Sequence, residues 1–106
     1  MTVEERFERL VDELTAADGV TPPSGGTGFG RSALRVHGKI FAMCVRDRLV
    51  VKLPRERVSE LVTAGEGGHF DANKGTPMKE WLALDPASEQ DWSALAHEAL
   101  AFVGGR

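Results

Sequence analysis

A single cysteine, Cys44, in a chain of 106 residues rules out an internal disulfide framework and gives no argument for an oxidising compartment. No cationic start leads into an apolar stretch, and no apolar run approaches the roughly 18 residues a membrane span needs. A cytoplasmic protein with no membrane association is therefore expected. Aromatic residues are few, but the apolar share is ordinary, so one domain covering residues 1–106 is long enough to bury roughly 65% of its unfolded surface. Low-complexity tracts and internal repeats are missing as well. Glycine and proline gather in two loops.

Charge is also scarce in net terms, at −3, but it is segregated along the chain. Between Arg31 and Arg57 stand eight basic residues against Asp47 and Glu56, a local +6, while the remainder carries −9. Such a block attracts phosphate-rich partners, and a solvated strand face produces the same composition. The solvated face is the expectation.

Apolar spacing then sets the elements. Thr2 and Glu5 have capping-box spacing, Phe7, Leu10, Val11 and Leu14 recur at helical spacing, and Gly19 closes this first helix. A glycine- and proline-rich loop follows from Thr21 to Gly30. Three apolar runs then read as a β-meander, with Gly38 and Lys39 as a two-residue turn and Arg46 to Arg48 as a three-residue loop. That loop length gathers Leu34, Val36, Phe41, Met43, Val45, Leu49, Val51 and Leu53 on one core face. Pro54 suits the first position of a second helix carrying Val58, Leu61 and Val62 and stopping at Gly65. After a loop from Glu66 to Pro77, Met78 to Asp85 reads as a fourth strand with Leu82 and Leu84 inward. Ser88 and Asp91 open a last helix with Trp92, Leu95, Ala96, Ala99, Leu100 and Val103 on one stripe, ending at Gly104. The expected fold class is α+β: two layers, an antiparallel sheet of about four strands, helices on one face, order α-β-β-β-α-β-α.

Candidate chemistry is thin. The run Gly25, Gly26, Gly28 and Gly30 lacks the preceding strand and following helix of a dinucleotide fingerprint, and no Lys followed by Ser or Thr makes a phosphate loop. These glycines read as a turn into the first strand. His69 and Asp71 share a loop with only Glu66 nearby, and Cys44, in a predicted interior strand with His37 on the same face but nearer the turn, reads as an inert, half-buried thiol. No catalytic residue, metal ligand or cofactor is assigned. What remains is the sheet face away from the helices, where Arg35, His37, Lys52 and Lys79 would rim Ile40, Ala42, Cys44, Val50 and Trp81. An apolar platform with a basic rim suits an anionic aromatic ligand, a stacked nucleobase or a subunit interface.

Gly25, Gly26 and Gly28, then Gly38, Lys39, Phe41 and Ala42, and then Leu49 to Leu53 resemble the glycine lead and first strands of the TfoX N-terminal domain family. Met78, Lys79, Glu80 and Trp81 resemble the strand start and tryptophan of the MmcQ/YjbR-like family. The resemblance implies a two-layer α+β fold, also seen in type III secretion chaperones. It implies no site residue, since the competence role attached to the first name belongs to longer proteins with a C-terminal domain, and the second name carries drug-resistance and DNA-binding associations. The expected function is a small non-enzymatic binding or protein-interaction domain. Its partner would be a small anionic ligand or a protein, with a homodimer through the open sheet face as one form. The alternatives are a DNA-binding transcription or competence-related regulator, and an enzyme resting on His69, Asp71 or Cys44.

Overall fold

The computed structural model describes residues 3–21, 33–45, 47–70 and 78–105. The expected capping residue Thr2, the glycines between Gly25 and Gly30, and Asp71 lie outside them. The elements run α1 (Val3–Leu14), β1 (Val20–Thr21), β2 (Ala33–Val36), β3 (Lys39–Val45), β4 (Arg48–Lys52), α2 (Arg55–Thr63), β5 (Gly67–Phe70), β6 (Met78–Leu84) and α3 (Trp92–Gly104). All strand pairs are antiparallel, and the sheet order is β1-β2-β3-β4-β6-β5. The α+β class and the antiparallel sheet agree with expectation. The strand count does not, because the sheet has six strands and the element order is α-β-β-β-β-α-β-β-α. Both extra strands escape a pattern search for physical reasons: β1 is two residues long, and β5 opens on Gly67 and Gly68, a residue type depleted in strands.

The main core lies between the sheet and the helices. Phe7, Leu10 and Leu14 of α1, Val58 and Leu61 of α2, and Trp92, Leu95, Ala96, Ala99 and Val103 of α3 cluster with Leu34, Val36, Phe41, Leu49, Val51, Leu53, Leu82 and Leu84. Capping fixes where the helices begin. The Asp91 carboxylate accepts the Ser93 backbone N–H at 2.9 Å to start α3. Pro54, expected inside α2, stands just before it as the N-cap, with extended backbone at φ −54° and ψ 144°.

The meander departs from expectation in both turns. His37 and Gly38 form the first, with φ of 51° and 82°. Positive φ at both central residues marks the primed turn that matches strand twist. Gly38 and Lys39 are therefore not the turn pair. At the second turn, Val45 pairs with Arg48 and Met43 with Val50, so Arg48 belongs to β4 and not to the expected three-residue loop Arg46 to Arg48, of which Arg46 lies outside the described residues. Between these turns Leu34 pairs with Ala42 and Arg35 with Ile40, which leaves Phe41 unpaired in a β-bulge. The bulge turns both Phe41 and Ala42 toward the helices and reverses the alternation beyond them. Met43 and Val45 thus leave the expected core face and join a second cluster, while Ala42 and Cys44 join the first.

Candidate functional site

The sheet face opposite the helices is organised in cross-strand rows. One row runs Ala33, Met43, Val50, Ala83 and Gly68 across five strands. Its apolar members are closed to solvent: Ala33 is 0% exposed, Met43 3%, Val50 1% and Ala83 9%. The centre of the expected open platform is therefore buried. Phe70 is buried with it, and Ile40, Val45 and Trp81 pack against this cluster while half-buried.

The neighbouring row carries the polar groups. Arg35 pairs with Ile40 on one side and Thr21 on the other, and Lys52 pairs with Trp81. Arg35 with Ile40 on β2 and β3, and Lys52 with Trp81 on β4 and β6, are two cross-strand pairs on neighbouring parts of the sheet, together termed the band. Each is half-buried. The Lys52 ammonium lies 5.7 Å from the Trp81 ring centroid and 3.9 Å from Glu80. An aliphatic stem on apolar surface with its charge over an indole is the arrangement expected of a lysine next to a buried row.

The other two expected site residues stand apart. His37 is in the β2–β3 turn, where its backbone N–H donates to the Gly19 carbonyl at 3.0 Å and its ring sits in the space a Gly19 Cβ would fill. Its role there is to join the turn to the segment between α1 and β1. Exposed Lys79 lines a shallow depression with Pro54, Arg55, Glu56, Glu80 and Phe102 at the start of α2. Of the five expected residues, the structure brings Lys52 and Trp81 together, and Arg35 stands two strands from Lys52, on β2. Ala42 and Cys44 leave the platform altogether, because the bulge turns them to the helix side.

One polar cluster had no signal in the sequence. At the seam of α1 and α3, Glu13 Oε2 accepts from Ser93 Oγ at 2.5 Å and lies 2.6 Å from His97 Nε2. Ser93 and His97 are four residues apart on one helix face, but Glu13 is remote in sequence. The carboxylate occupies the centre of this trio, whereas a nucleophilic serine needs the imidazole there to take its proton. The Ser93 and His97 hydrogen bonds also hold the Glu13 carboxyl below the ordinary carboxylate range. A weakened base fastens two helices rather than activating a hydroxyl. The cluster is half-exposed and borders a second depression lined by Arg6, Arg9 and Trp92, with the Arg6 guanidinium 4.0 Å from the Trp92 centroid.

Groups considered for metal or enzyme chemistry are dispersed. His69 is exposed on β5 opposite Leu82, and Glu66 is taken up by Ser88 Oγ at 2.6 Å and Gln90 Nε2 at 3.3 Å. These two bonds lower the Glu66 pKa, Ser88 contributing most, and tie the approach to α3 onto the start of β5. Among the described residues, no three His, Cys, Asp or Glu side chains are placed to share a metal ion. No described helix is long and apolar enough to cross a membrane. No family model matches the chain, and no similar curated protein or solved structure was found.

Proposed function

We propose that this chain is a small non-enzymatic binding or protein-interaction domain whose working surface is the band Arg35, Ile40, Lys52 and Trp81. The observation that carries this reading is the contact of a cationic side chain with an indole, with a second cation two strands away, all half-buried beside a closed apolar row. Partial burial limits the solvent screening of Arg35 and Lys52, and the indole offers an apolar flank with a polar N–H. The chemistry of that band suits an anionic group on an apolar or aromatic body, either a small ligand or an acidic protein surface. The resemblance to TfoX N-terminal and MmcQ/YjbR-like domains belongs to the same proposal, as does a cytoplasmic setting. The sheet beneath supplies a rigid base for the band.

Backbone and indole N–H resonances, followed during separate titrations with benzoate, a nucleoside monophosphate and an acidic peptide, test the proposal. Saturable shifts confined to Arg35, Lys52, Trp81 and their strand neighbours, lost in Lys52→Ala at unchanged melting temperature, are the expected result. If all three titrants leave the band unmoved, or the same shifts survive in Lys52→Ala, this surface is not the binding site.

A further inference from the structure

We draw no further inference here: the strongest candidate, the side-chain cluster of Glu13, Ser93 and His97 beside the depression lined by Arg6, Arg9 and Trp92 at the α1–α3 seam, contains no buried polar group aimed into it, so nothing in the structure selects a ligand.

Discussion

Gly67 and Gly68 are adjacent in β5 but face different surroundings. A Cβ on Gly67 would lie 2.3 Å from the Ala83 carbonyl oxygen and 3.0 Å from the Leu84 Cα, whereas one on Gly68 meets nothing within 4 Å. The obstacle at Gly67 is backbone and has no rotamer to change. Gly67→Ala is accordingly expected to lower stability by more than about 1 kcal/mol in urea denaturation, and Gly68→Ala to change it by less than about 0.5 kcal/mol. Gly38 separates conformation from space: its φ is 82° with open surroundings, so Gly38→Ala costs about 1 kcal/mol from strain alone. Glu13 gives the pH-dependent case. Its folded pKa is depressed, so the stability it contributes is present above the unfolded glutamate value of about 4.3 and is lost as pH falls through the folded value. Glu13→Gln should therefore flatten the acid limb of a stability profile measured by thermal melting from pH 6 to pH 3, and an unchanged limb would remove the seam from the account. Three buried apolar residues hold α1 in addition, each contributing about 1.5–3 kcal/mol on burial, so acid weakens this seam without releasing the helix. Little of this was legible in sequence: Glu13 and His97 meet through tertiary packing, and the close approach at Gly67 depends on a strand that glycine composition conceals.

Among the elements, the bulged strand β3 has the widest consequences. A chain read by strict alternation places Met43 with Phe41, because both are large and two residues apart. Leaving Phe41 itself without a β2 partner is enough to separate the two onto opposite faces. The expected alternation fails at that residue, since a bulge leaves no local compositional mark in an apolar run such as Ile40 to Val45. The helices are legible from their apolar stripes: Val58 and Leu61 in α2, and Trp92, Leu95, Ala96, Ala99 and Val103 in α3, are buried as expected, while Val62 and Leu100 of the same stripes are half-buried. The test is to compare neighbours in β4. Val51→Ala, on the helix face, and Val50→Ala, on the opposite face, are each expected to cost about 1–3 kcal/mol, because both side chains are enclosed. An open outer face would make the second substitution nearly neutral. Packing between α2 and α3 has a polar component as well, in which Arg57 Nε donates to Glu98 Oε1 at 2.9 Å and Nη2 to Oε2 at 3.2 Å, while Nη1 meets Glu60. Arg57→Lys keeps the charge but loses the two-pronged geometry, with an expected loss of about 0.5 kcal/mol for a pair this accessible to water, readable in a Glu98→Gln double-mutant cycle.

For the molecule as a whole, charge segregation is smaller in space than in sequence. Within the basic block, Arg57 is engaged by Glu98 and Glu60, and Lys52 has Glu80 nearby. These acids come from outside the block and reduce its local excess. Titration with mixed duplex DNA at physiological salt is therefore expected to show no sub-micromolar binding, and tight binding with a steep salt slope would favour a nucleic-acid regulator instead. Topology carries a different consequence. In sequence the chain divides at Pro54 into two continuous stretches, one holding β1 to β4 and the other β5 and β6, and they share a single strand seam where Val50, Val51 and Lys52 meet Ala83, Leu82 and Trp81. The helix that lies over β3 and β4 is α3, from the second stretch, whereas α2 covers β5 and β6. The first stretch thus depends on the far end of the chain for its roof. Cleaved between β4 and α2, the two pieces are expected to remain largely unstructured when separate and to reconstitute a folded heterodimer when mixed, with an affinity set by the α3 contact and one strand ladder.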